Sequence, residues 1–591
     1  MDRKNAPQNT KWDLSCLVKD EEEYNMLFGK VKKLGQKLTT FKGKLNQKEE
    51  YKKYIRTYEE FDKLVERISL FAGLEQTINN KNVDILAKLQ QLSYFIENLE
   101  KELSFVSAEE KKFSDSYINE LAADAELSDY KNDILDIKED KKHTLSEKEE
   151  KLLSGAGAFA NARDVFDALT TSELVFDDIT LPNGKRAKVD ENLYPLYITD
   201  KNTDVRKAAA LSVMNAYKKH NLTLATNYIS HIKTCDFFAT STKFDSTFVQ
   251  HFYSDKISTK IYNNLIESIH KNLPLFYKWV SVRKKLLGGK ISVTDFANPL
   301  FALPNKKYTY NQAIDEVLFA TAVFGKDYTQ GLKNLTSGGW VDVYPETNKE
   351  KGAFETSDLN GHQFVKLNFV GNFDSVETMA HEFGHAMHSY YTEKAQPYSL
   401  RSYNIFVAEI ASTVNEILLL EFMKENTENK KEKLAYTEKL LQMAKSTVFR
   451  QTMFSEFEYF AHEAVNQKQP LTYDTLNKKY FELNKIYFGK NVKIYPEFQY
   501  EWSRISHFYR PFYVYKYATG MLAAMLIVKR IKENPAKFVP AYKEFLSAGR
   551  SKRPNDILKI VDIDFEKEDS FNEAFALYEK WVREYTEGTK C

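Results

Sequence analysis

Apolar residues recur at three-to-four spacing through most of this 591-residue chain, and that period dictates helices with one buried face. The run Phe61, Leu64, Val65, Ile68, Phe71 and Ala72 is typical of residues 21–169, where charged side chains fill the intervening positions. From Asp374 the same period returns and persists nearly to the end. Helix breakers are scarce, at 14 Pro and 21 Gly, so nothing opposes long helices. The sequence therefore predicts a mainly α fold. Its length exceeds what one core usually serves. A short β-hairpin is expected within residues 178–189, turned by the pair Asn183-Gly184. The boundary is placed beside it, giving a helical domain over 1–190 and a second domain over 191–591.

The texture changes between residues 335 and 371. Ser337-Gly338-Gly339 is a breaker, residues 341–344 read as β, and residues 364–370 read as a strand ending at Gly371. Asp374 and Ser375 are the expected caps of the helix that follows. The last helix is expected to open on the capping box Ser570-Phe571-Asn572-Glu573 and to bury Phe571, Phe575, Tyr578, Val582 and Tyr585.

Charge excludes some partners. With 84 basic and 83 acidic residues the net charge is +1, which argues against nucleic acid. Cys16, Cys235 and Cys591 form neither a disulfide framework nor a paired-cysteine zinc site. Met1-Asp2-Arg3-Lys4-Asn5 leads into no apolar segment, and no stretch approaches the roughly 20 apolar residues that span a bilayer. The expectation is a soluble, cytoplasmic protein without a membrane partner. Nothing in the sequence decides self-association.

The chemistry concentrates at His381-Glu382-Phe383-Gly384-His385. On a helix, residues four apart lie about 40° apart on one face, so both imidazoles can point at one ion. Glu382 lies one residue beyond the first histidine, near enough to take a proton without being a ligand. Val376, Met379, Ala380, Phe383 and Met387 give the stripe that would bury this helix. A bland alternative is a helix with two surface histidines. A catalytic site also needs a third protein ligand. Glu409 is the candidate, since a glutamate among Val407, Ala408, Ile410 and Ala411 is costly to bury unless it is bound or paired. Glu416 is its rival on the same face. The distal run from His507 to Tyr517 holds Tyr513 and Tyr517, and Pro511 suits the first turn of a helix. These rings suit either a core or an oxyanion-stabilising site. His462 and His388 are expected in the core.

Glu377-Thr378-Met379-Ala380 running into the histidine motif, together with residues 406–416, closely resembles the thimet-oligopeptidase-like metallopeptidases of the oligoendopeptidase F type. The resemblance covers roughly residues 13–581. It implies an elongated multi-helix body with a deep substrate channel and a small β-sheet beside the motif helix. It further implies one zinc ion per chain on His381, His385 and Glu409, with Glu382 as general base. His507 and Tyr513 would assist the oxyanion or place substrate, and Tyr517 would contact substrate. The implied activity is hydrolysis of internal bonds in short unstructured peptides, laid along the strand at residues 364–370. Asn348-Lys349-Glu350 departs from the family, where a Gly-Lys-Arg type of sequence is more usual. The tyrosine spacing after His507 differs from mammalian-type members. Two other readings remain: a non-catalytic peptide-binding protein, and a helical scaffold with structural zinc closed by a fourth protein ligand.

Overall fold

The three-to-four spacing becomes helix in the computed structural model, which describes Arg3, residues 6–157 and residues 160–590. The readings that rest on Met1, Asp2, Lys4, Asn5 and Cys591 lie outside the described residues. The helix Lys48–Ile78 buries Phe61, Ile68 and Ala72 of the expected stripe. Leu64, Val65 and Phe71 pack partly buried against the same core. The neighbouring helix Glu21–Thr39 starts where Asp20 accepts the Glu23 amide at 2.9 Å, the usual cap for an orphan N–H.

Two compact units are present, and neither is a continuous stretch of chain. One gathers residues 1–154, 305–419 and 535–553; the other gathers 155–304, 420–534 and 554–591. Helix dominates both, and the strands are few: β1 (Ile179–Thr180), β2 (Arg186–Ala187), β3 (Val341–Asp342), β4 (Phe354–Ser357) and β5 (Gln363–Lys366). No described helix is long and apolar enough to cross a membrane.

The hairpin of β1 and β2 forms, but with a longer loop than the two-residue turn expected. Ile179 pairs with Ala187 and Thr180 with Arg186, and the Leu181 amide donates to the Lys185 carbonyl, so Pro182, Asn183 and Gly184 form the loop. Pro182 presets the first corner, and Gly184 takes φ 79° to close the strands.

The sheet of the first unit has the order β3-β5-β4, with β3 parallel and β4 antiparallel to β5. Residues 364–370 are the strand along which substrate is expected to lie, which needs an open edge. Instead β5 is the central strand, buried at all four positions, and both of its edges are taken. The outer edge belongs to β4. Beyond Lys366 the amides of Leu367 and Phe369 still donate to Asp342 and Val343. Gly371 then turns the chain at φ 75°, where a Cβ would stand 2.8 Å from the Tyr308 carbonyl oxygen.

Two expected caps are displaced. The helix Phe373–Ala395 is capped by Asn372, whose side chain accepts the Ser375 amide at 3.0 Å, rather than by Asp374 or Ser375. The last helix runs Glu568–Gly588 from Lys567, and Ser570 accepts the Asp564 amide instead of forming a capping box. Its stripe is buried as expected. Cys16 and Cys235 are free thiols.

Candidate metal centre

Both histidines of the motif lie on the helix Phe373–Ala395, which packs against β4 and β5 and buries Val376, Met379, Ala380, Phe383 and Met387. The partner helix, Ile405–Glu425, passes unusually close. A Cβ on Gly384 would lie 2.5 Å from Ser412 Cα and 2.6 Å from the Ala411 carbonyl oxygen, so only glycine permits the crossing. The contact is locked by Asn415, which donates to the Ala380 carbonyl at 3.2 Å and accepts from the Tyr328 hydroxyl at 3.0 Å. Glycine in the fourth motif position thus sets the distance between the helix that carries the histidines and the helix that carries Glu409.

His381 Nε2, His385 Nε2 and Glu409 Oε2 form a nearly equilateral triangle. Its edges are 3.2 Å between the imidazoles, 3.5 Å from His381 to Glu409 and 3.4 Å from His385 to Glu409. Tetrahedral coordination at the usual zinc bond lengths requires donor separations of about 3.3–3.4 Å. The donor set therefore fits one zinc-sized cation with three protein ligands. Glu416, the rival for that role, accepts instead from His381 Nδ1 on the opposite side of the ring. That bond fixes the orientation of the ring and leaves Nε2 to the ion. The sequence carried a trace of this role, because Glu416 stands seven residues after Glu409 and shares its face.

Charge also argues for a cation. Burial opposes an imidazolium at His381, but Glu416 and then Glu382 and Glu409 outweigh it and push the group up to about 9. Burial pushes the Glu409 carboxyl up, yet the bond from His385 and the two nearby imidazoles hold it below the ordinary carboxylate range. Glu382 is only 6% exposed; burial raises it against the pull of the histidines. Three carboxylates around two imidazoles leave an excess of negative charge that a divalent ion would balance.

His381, Glu382 and Glu416 open onto a cleft of about 500 Å³, walled by Gly352, Ala353 and the chain beyond β5 from Leu367 to Val370. Asn348 adopts φ 66°, a conformation asparagine tolerates. Lys349 is fully buried on Asp342, and Glu350 pairs with Lys366 at 3.1 Å.

The structure brings together His381, Glu382, His385 and Glu409. His507, Tyr513 and Tyr517 gather in the other unit. There the Tyr513 and Tyr517 rings meet edge to face at 5.3 Å, and the Tyr517 hydroxyl lies 3.4 Å from His507 Nε2. The helix there begins at Tyr515 after Phe512 takes φ 51°, so Pro511 precedes it instead of opening its first turn. Burial, then Arg510 and Arg163, lower His507 below the usual histidine range. His388, 1% exposed and stacked on Tyr403 at 3.7 Å, and His462, 5% exposed against Phe512, are core residues as expected.

The chain is similar to known proteins over nearly its whole length. Residues 196–577 match the model of peptidase family M3, and residues 110–176 match that of oligopeptidase F. An oligoendopeptidase F homolog of Borreliella burgdorferi is 36% identical, over 96% of this chain and 96% of that protein. Oligopeptidase PepF of Bacillus subtilis is 32% identical, over 99% of this chain and 88% of that protein. A solved structure from Chlamydophila abortus, 29% identical, superposes with a TM-score of 0.92 over 99% of both chains. Matched by its family model over most of its length, and by relatives that run nearly from end to end, the chain belongs to peptidase family M3.

Proposed function

We propose that this chain is a zinc-dependent endopeptidase that hydrolyses internal bonds of short unstructured peptides. The observation that carries the reading is the triangle of His381, His385 and Glu409 beside the buried Glu382. When bound there, zinc supplies Lewis acidity to water and to the scissile carbonyl. His381 and His385 would hold the ion through Nε2 and Glu409 through one carboxylate oxygen, while Glu416 orients His381 by accepting its Nδ1–H. Glu382 takes the proton of the attacking water on a carboxylate oxygen and returns it to the leaving amine, serving as base and then as acid. Its burial suits that exchange, because a raised carboxyl pKa makes the proton easier to hold between the two steps.

The peptide adds to the outer edge of β4, not to β5. Phe354, Thr356 and Ser357 of β4 line a groove of about 810 Å³, whose other wall is the helix Lys48–Ile78. Main-chain hydrogen bonds along a strand edge hold a peptide without reading its sequence, which suits a broad peptide substrate class. His507 and Tyr513 keep the role that the family resemblance implies, as donors to the oxyanion, and Tyr517 that of a substrate contact. We assign the catalysis to residues 191–591, with 1–190 as a helical N-terminal domain, and place the enzyme in the cytoplasm.

The test is cleavage of an end-blocked, internally quenched peptide by wild type and by Glu382→Gln. Wild-type cleavage that falls at least about a thousandfold in the variant, with zinc still bound, supports the reading. A folded, zinc-loaded wild type that cleaves no peptide of a varied panel would leave a peptide-binding protein in its place.

A further inference from the structure

Among the described residues, a second group of metal-ligand type shares no residue with the first. Cys16, Asp358 and His362 each offer one donor atom, and these atoms all lie within 4.8 Å of one another. They come from two segments more than three hundred positions apart in sequence, both within the first compact unit. Neither the family resemblance nor the catalytic scheme uses them.

The group is built from the turn that joins β4 to β5. Asp358 is 2% exposed, and its Oδ1 accepts the amides of Asn360 and His362 at 2.8 and 2.9 Å, which fixes the carboxylate in the turn. Its Oδ2 accepts from His362 Nδ1 at 3.0 Å and from the Asn360 side chain at 3.3 Å. The 3.0 Å between His362 Nδ1 and Asp358 Oδ2 is close to the separation that two ligands of one zinc-sized ion adopt, so an ion can replace the proton between them. The ring is also held by stacking on Trp340, with centroids 4.1 Å apart at 21°. Two restraints on one imidazole exceed what a solvent-facing histidine needs.

Cys16 reaches the turn because the segment before it is pinned to the same sheet. Trp12 Nε1 donates to the Trp340 and Val365 carbonyls at 2.9 and 3.1 Å, and the Asp13 amide donates to Gly339 at 2.9 Å. The thiol itself makes only a long contact, 3.8 Å to the Asp13 carbonyl. The positive group facing the turn is Arg401, which donates to the Asp358 main-chain carbonyl at 3.0 Å and whose charge is taken up by Glu66.

We propose that Cys16, His362 and Asp358 form a second metal site, taking a transition-metal cation of the zinc class and clasping the N-terminal segment to the β4–β5 turn. Thiolate, imidazole and carboxylate together select a borderline-soft ion over magnesium or calcium. A small movement of Cys16 brings the donors to the separations of about 3.5 Å that tetrahedral coordination with sulfur requires. Binding forms a metal–sulfur bond and sends the thiol proton to solvent, and the remaining coordination position falls to water.

Cobalt(II) is the probe, because only a thiolate ligand gives a near-ultraviolet sulfur-to-cobalt charge-transfer band. Chelator-stripped full-length protein is reloaded with cobalt, and bound metal per chain is counted beside the spectrum. Wild type should bind two equivalents and show the band. Cys16→Ser should bind one and lose the band, and His362→Ala should do the same; circular dichroism confirms that both are folded. His385→Ala should lose one equivalent but keep the band, which separates this site from the catalytic centre. Wild type that binds a single equivalent without the band would overturn the proposal. So would a band of full intensity in Cys16→Ser, which would place the thiolate at another cysteine.

Discussion

Glu409 and Glu421 lie on the same helix, Ile405–Glu425, yet their surroundings differ in kind. Glu421 is fully buried and accepts from Trp581 Nε1 at 2.8 Å and from the ammonium groups of Lys424 and Lys532 at 2.7 Å each. Burial alone would raise its carboxyl, but the two lysines hold it at about 2. Glu409 pairs with His381 and His385, and further carboxylates stand close by at Glu382 and Glu416. At Glu421 the protein supplies its own cations and the charge is closed. At Glu409 it supplies two imidazoles and more negative charge, an arrangement that a metal ion completes. A buried acid among lysines is structural, and one among imidazoles awaits a ligand.

That contrast can be broken by experiment. The largest effect expected is on catalysis: removing metal with a chelator should abolish cleavage, by at least about a thousandfold, and zinc should restore it. The Glu421 cluster should not respond to the chelator at all.

Next comes stability. Glu421→Gln removes the buried carboxylate shared by Lys424 and Lys532, leaving them only the more exposed Glu584 and Glu425, and denaturant unfolding should register a loss of about 3 kcal/mol with zinc binding intact. The pH dependence has a definite sign. Because the folded pKa lies below the ordinary value of 4.5, the contribution is fully present above about pH 4.5 and is lost as pH falls towards 2. The stability gap between wild type and Glu421→Gln should close over that window. A gap that stays constant down to pH 2 would mean that the ion cluster is not its source.

Gly384→Ala drives a methyl group into the backbone of Ser412 and should cost about 2 kcal/mol while weakening zinc binding, because it parts the two ligand-bearing helices. An alanine variant with unchanged melting and unchanged zinc affinity would show that the close crossing does not set the site. The smallest effect is expected from Glu416→Gln. Loss of the charge behind His381 should weaken zinc binding about 10–100-fold, read by competition with a chromogenic chelator.

Much of this contrast is visible in the residues alone. The motif helix shows in the spacing of Val376, Met379, Ala380, Phe383 and Met387, and Glu409 in its isolation among apolar neighbours. Both signals are local, and local signals survive folding. What escaped depends on contacts distant in sequence. Strand order is one case: residues 364–370 read as a strand, but nothing in them says that β3 and β4 take both edges. Glu416 is another, since a ligand and a residue that orients a ligand look alike when both lie on one helix face. The cap of the motif helix moved because Asn372, just after the turn at Gly371, accepts both the amide and the hydroxyl of Ser375. Gly384 was legible as a motif letter but not as the point where two helices touch.

The account rests on Glu409 being completed by zinc and Glu421 by lysine, and one measurement addresses both. Zinc affinity is determined by chelator competition for wild type, Glu409→Gln and Glu421→Gln under one set of conditions. Glu409→Gln should bind zinc at least about 100-fold more weakly, while Glu421→Gln should bind as wild type does. Equal affinities for wild type and Glu409→Gln would contradict the assignment of the third ligand, and with it the metal centre described here.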